Sequence, residues 1–85
     1  MQEVVYDFAM EARRAIDALR VDFPQDTIAA EEGYAGRVHL KVVSERFNGK
    51  SERYKQQYIW DLLNRRLGED AQAVSLALAY GTDEL

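Results

Sequence analysis

The stretch from Arg37 to Ser44, RVHLKVVS, constrains the fold more than any other part of the chain. Val38, Leu40 and Val42 alternate with Arg37, His39 and Lys41. A period of two puts the apolar residues on one side of a strand and the basic residues and the histidine on the other. A sheet built around such a strand is covered on one face and open on the other. Val43 breaks the alternation near the strand end. The rest of the chain therefore has to supply one covering layer.

Two segments have the spacing for that layer. From Glu3 to about Asp22, Val4, Val5, Phe8, Ala12, Ala15, Ile16 and Leu19 recur at helical intervals and share a face. Arg13, Arg14, Asp17 and Arg20 fall mostly on the other side. Pro24, the only proline, cannot continue the helix, and Phe23 can fold back under its last turn. The second segment starts after a loop from Glu45 to Ser51. Ser51 is a fair N-cap for a helix running to about Leu67, with Ile59, Leu62, Leu63 and Leu67 as its buried stripe and Trp60 at the edge. Gly68 ends it.

Two further strands are expected. Thr27 to Glu31 is short, with Ile28 and Ala30 pointing one way, and Gly33 and Gly36 flank Tyr34 in a turn. Ala73 to Tyr80 alternates so that Val74, Leu76, Leu78 and Tyr80 share one face. Ser75, Ala77 and Ala79 share the other, where small side chains leave room for a close approach. The order helix, strand, strand, helix, strand predicts an α+β fold, a three-stranded mixed sheet with both helices on its apolar face. With 85 residues the expectation is a single domain spanning 1–85, with one modest core.

Composition narrows the chemistry. Hydrophobic residues at 47% and charged residues at 31% are ordinary for a globular domain, which argues against a disordered tail. No apolar run approaches the roughly 20 residues of a membrane span. The opening MQEVVYDFAMEARR has early acids and no apolar signal core, so a cytoplasmic, unprocessed chain without membrane attachment is expected. There is no cysteine and one histidine, His39. The chain alone therefore offers no disulfide, thiolate nucleophile or cysteine-ligated metal, and no metal or other cofactor is expected. No serine, histidine and acid stand at an informative spacing, and the expectation is a protein that is not an enzyme.

Charge is unevenly spread. From Arg37 to Arg66 there are eight basic residues and three acids, 8 − 3 = +5, so the remainder of a chain of net charge −4 carries −9. Two readings are open: one charged binding face, or a mixed solvated surface. Within the basic middle, Phe47 is an apolar residue in a polar loop and is expected to plug the space between sheet and second helix. Gly49 is expected to supply a backbone conformation that a larger residue resists. Amides near a helix start can attract an anion, and a well-packed turn without a ligand has the same sequence. The candidate contact surface is Arg46, Asn48, Gly49, Lys50, Arg53 and Lys55. Gly49-Lys50-Ser51 also reads as the end of a phosphate-binding loop, but the position of its first glycine is Ser44 and the chain is too short for that nucleotide-binding domain.

The run Val38 to Ser51, VHLKVVSERFNGKS, resembles the BolA family, whose signature is a strand ending in V-S, then x-x-F-x-G, then a helix. Val43, Ser44, Phe47 and Gly49 match, and Lys50 and Ser51 match more loosely. Ile59 and Leu63 fit the family's helix, Ala73, Val74, Ser75 and Leu76 resemble its last strand, and Thr82, Asp83 and Glu84 resemble its closing tail. The resemblance covers roughly residues 5 to 85. It implies a non-enzymatic interaction or regulatory protein, a partner of monothiol glutaredoxins in iron–sulfur trafficking or stress response. The family's usual ligand histidines are replaced by Gln72 and Gln56, and Glu31 to Arg37 offers neither histidine nor cysteine. The resemblance therefore implies a relative whose share in holding a cluster is lost. The same element order occurs in K-homology domains of the second type, so nucleic-acid binding is the alternative, although the G-x-x-G loop of those domains is absent.

Overall fold

The computed structural model describes residues 4–85. Helix α1 (Phe8–Arg20) is followed by strands β1 (Thr27–Glu32) and β2 (Val38–Val43), helix α2 (Glu52–Leu67) and strand β3 (Val74–Tyr80). The sheet order is β1-β2-β3. β1 runs antiparallel to β2, with Ala30 opposite Leu40, and β3 runs parallel to it, with Ala77 opposite Leu40. This is the expected α+β arrangement, a mixed sheet with the helices packed against it.

Helix α1 begins later than its apolar stripe predicts. Asp7 is the N-cap, and its carboxylate accepts the Met10 amide at 3.3 Å. Val4 and Val5 precede the helix and are exposed, so they are not part of its buried face, and Glu3 lies outside the described residues. The segment before Asp7 is tied down differently: the Tyr6 amide donates to the Ala35 carbonyl at 2.8 Å. This crossing runs so close to Gly36 (φ 76°) that a Cβ there would collide with the Tyr6 carbonyl. At the other end the Phe23 amide donates to the Leu19 carbonyl, folding Phe23 under the last turn, where it is fully buried.

The core joins Ala12, Ala15 and Leu19 of α1 and Ile59, Leu62 and Leu63 of α2 to Val38, Leu40 and Val42 of β2, with Phe23 and Phe47 between them. Ile28 and Ala30 of β1 and Trp60 of α2 pack at its margin, and Leu67, expected in the buried stripe, is only partly buried at the end of α2. Gly68 closes α2 at φ 58°.

Strand β3 departs from the expected alternation. Val38 pairs with Val74 and His39 with Leu76, so Ser75 is an extra residue and the strand bulges there. Val74 stays in the core. Beyond the bulge the parity inverts: Ala77 and Ala79 are buried, and Leu76, Leu78 and Tyr80 turn to the open face. The room left by the alanines is taken by α2, whose Gln56 side chain donates to the Ala77 carbonyl at 2.8 Å. The open face thus presents Ala29 and Glu31 of β1, His39 and Lys41 of β2, and Leu76 and Leu78 of β3 around a shallow depression.

Candidate interaction site at the turn between β2 and α2

The turn begins at Ser44, a buried hydroxyl with three connections. Its amide donates to the Tyr80 carbonyl at 2.9 Å, joining the ends of β2 and β3. Its Oγ donates to Asp26 Oδ2 at 3.2 Å, at the entry to β1, and accepts the Arg46 amide at 3.2 Å. That last bond caps a short 3-10 turn, Glu45–Phe47, which drives Phe47 inward. Phe47 is buried as expected, its ring 5.8 Å from Phe23 and 5.7 Å from Tyr58 between centroids, the latter edge-on. Gly49 follows at φ 73°, a left-handed conformation that favours glycine. Ser51 then caps α2, its Oγ accepting the Tyr54 amide at 3.1 Å.

The six candidate residues divide into two groups. Arg46, Lys50 and Arg53 are exposed. Arg46 lies over the Phe23 ring at 4.9 Å and donates to the Tyr58 hydroxyl at 3.2 Å. Lys50 stands 5.0 Å over the ring of Tyr54, which is stacked on Tyr58. Arg53 makes no ion pair among the described residues.

Asn48 and Gly49 are also exposed whereas Lys55 is buried, and all three hold partners within the molecule. Their partners lie in a 3-10 turn, Thr82–Glu84, that follows β3. Asn48 Nδ2 and Thr82 Oγ1 are 2.9 Å apart, and Asn48 Oδ1 accepts the Asp83 amide at 3.2 Å. The Gly49 amide donates to Asp83 Oδ2 at 3.0 Å, and it faces no open anion site of the phosphate-loop kind. Lys55 is only 1% exposed, its ammonium held between Glu52 and Glu84. Helical periodicity places it on the first turn of α2 but is silent about its burial. Its aliphatic stem lies inside while the ammonium meets two acids. The hydrogen bonds to Glu52, and next to Glu84, hold the Lys55 ammonium above its ordinary pKa, and burial opposes this. The same bond, with help from the Gly81 amide, holds the Glu84 carboxyl below its ordinary value. The sequence signal that could have found this pairing is the closing Thr82-Asp83-Glu84.

Among the described residues no three histidine or carboxylate side chains converge into a metal-binding group, and no helix is long and apolar enough to cross a membrane. The donor set does not fit an iron–sulfur cluster. His39 lies on the open face with its ring against Gly33. Gln56 is across the sheet, bonded to Ala77, and Gln72 is exposed beyond α2. Neutral amides are weak ligands for iron. No family model, curated protein or solved structure matches the chain.

Proposed function

We propose that the chain is a non-enzymatic interaction and regulatory module of the BolA type, an adaptor for a monothiol glutaredoxin in iron–sulfur or stress pathways. The observation that carries this reading is the β2–α2 turn. Buried Ser44 and Phe47 and left-handed Gly49 fix its backbone, while Arg46 and Lys50 on the turn and Arg53 in the first turn of α2 are exposed. A rigid turn bearing outward cations suits recognition of an acidic protein surface, where charge sets orientation and encounter rate. In such a complex the partner's own thiolates hold the cluster. The test is calorimetric titration of the chain with a cluster-loaded monothiol glutaredoxin, alongside the visible absorption of the cluster. A complex is expected, weakened about tenfold by reversing Lys50 and Arg53 to Glu. Absence of any complex rejects the adaptor reading. If the unmodified chain perturbs the cluster spectrum and Gln72→His adds nothing, the loss of ligation by this chain is refuted.

A second reading is supported by the aromatic ring set among these cations. Tyr54 is 45% exposed, beside Lys50 and stacked on Tyr58 with centroids 6.1 Å apart. Aromatic rings interleaved with basic side chains suit single-stranded nucleic acid, whose bases stack while phosphates meet cations. A mobility-shift assay with short DNA and RNA, repeated at rising salt, separates the two. Salt-sensitive shifts lost in a Tyr54→Ala variant favour nucleic acid, and no shift at low salt removes it.

A further inference from the structure

The turn Thr82–Glu84 lies across the β2–α2 turn as a ligand lies in a site. Asn48 pairs with the Thr82 hydroxyl and accepts the Asp83 backbone amide. The Gly49 amide holds the Asp83 carboxylate, and the Lys55 ammonium holds that of Glu84. Three kinds of contact are made: to a hydroxyl, to a backbone N–H and to two carboxylates. An inorganic anion could supply only the last kind, so the recognised object is a peptide.

The site keeps a demand when that peptide leaves. Lys55 is 1% exposed, and its other acid, Glu52, is 74% exposed. With the turn lifted Lys55 keeps Glu52 and has the position of Glu84 open, a place that an acid from another chain fits. The hinge is equally specific. Gly81 is buried, and a Cβ there would collide with Asn48 and with the Asp83 carboxylate. The turn can therefore close over Asn48 only because residue 81 has no side chain.

We propose that the Thr82–Glu84 turn is a latch over a peptide-binding site formed by Asn48, Gly49 and Lys55, which takes the acidic segment of a partner chain when the latch lifts. The segment it takes has the chemistry of the latch, a hydroxyl residue followed by two acids. The proposal rests on the reading of the chain as an interaction module, but on residues other than the outward cations.

The test uses the full chain and follows the backbone amide of Gly49 by NMR. The probe is a blocked Gly-Thr-Asp-Glu peptide, compared with its Gly-Thr-Asn-Gln counterpart and with inorganic phosphate. In an Asp83→Ala, Glu84→Ala variant the acidic peptide is expected to shift the Gly49 amide saturably. The unmodified chain should bind it about tenfold more weakly or less, because only the lifted fraction is competent. The amide counterpart should bind more weakly than the acidic peptide, and phosphate should not saturate. Should the double variant fail to fold, Gly81→Ala lifts the latch by collision and leaves the identity of every site residue unchanged. Absence of saturable binding in the lifted form overturns the proposal, as does equal affinity in lifted and unmodified chains. Phosphate binding as tight as the peptide overturns the peptide assignment. A glutaredoxin complex with no peptide binding to either form sinks the latch and leaves the adaptor reading standing.

Discussion

On β3 the helix side and the open side stand in direct contrast. Toward α2 point Ala77 and Ala79, buried to 1% and 3% exposure. Away from it point Leu76, Leu78 and Tyr80, all larger and the two leucines more apolar, with Leu76 41% exposed. Space sorts these residues more than hydrophobicity does. A helix near enough for Gln56 to reach the Ala77 carbonyl leaves no volume for a leucine between them. The bulge at Ser75 then lets Val74 remain in the core while the following residues exchange sides. Burial on this sheet is thus set by the layer above the strand as well as by the strand's own pattern.

The contrast can be broken on its covered side first. Phe47→Ala empties the junction with Phe23 and Tyr58 and is expected to cost about 3–5 kcal/mol in chemical denaturation. A cost below about 1 kcal/mol would mean that the ring is dispensable to the core.

Next, Ala77→Leu should cost about 1–3 kcal/mol by overpacking against α2. Leu76→Thr, one residue away, should change stability by no more than about 0.5 kcal/mol, as surface substitutions usually do. If the two substitutions cost the same, the assignment of opposite faces to Ala77 and Leu76 is wrong.

The smallest effect sharpens the comparison at its rim, where the turn after β3 meets α2. The Glu84 carboxyl is held below its unfolded pKa, so its stabilisation is present above that unfolded value. It is lost as pH falls through the depressed folded one. The Lys55 ammonium is held above its unfolded pKa, so its stabilisation is full below that value and lost as pH rises through the elevated one. Denaturation midpoints measured across pH should therefore fall at both extremes, and Glu84→Gln should flatten the acid limb. An unchanged acid limb in that variant would show that the pair contributes nothing.

Much of this architecture is legible in the sequence, for reasons that differ by element. β2 reads directly because its partners flank it on both sides and one face is basic, so its alternation records a real boundary between core and water. Phe47 and Gly49 read because an aromatic residue and a glycine in a polar loop each have few physical explanations. α1 misreads at its start because Val4 and Val5 continue the helical spacing, and the cap at Asp7 outweighs it. β3 misreads because a bulge leaves no mark in an alternating run of Ser, Leu and Ala. The candidate site divides for a similar reason: exposure of Arg46, Lys50 and Arg53 follows from local polarity. The engagement of Asn48, Gly49 and Lys55 depends on a turn more than twenty-five residues downstream of Lys55 (82 − 55 = 27).

The mixed sheet also gives the two pairings of β2 different histories. β1 reaches β2 across the short connection 33–37, whereas β3 reaches it only after 44–73, a segment about six times as long. By chain entropy alone the longer closure costs about 1.6 kcal/mol more, and it is relieved only once α2 has shortened the path. On that difference the hairpin is expected to close first and β3 to dock after it, bringing Gly81 and the acids behind it. Whatever grips Asn48, Gly49 and Lys55 arrives at the end of that sequence of events, so a nascent or partly unfolded chain displays those donors before its own tail can claim them.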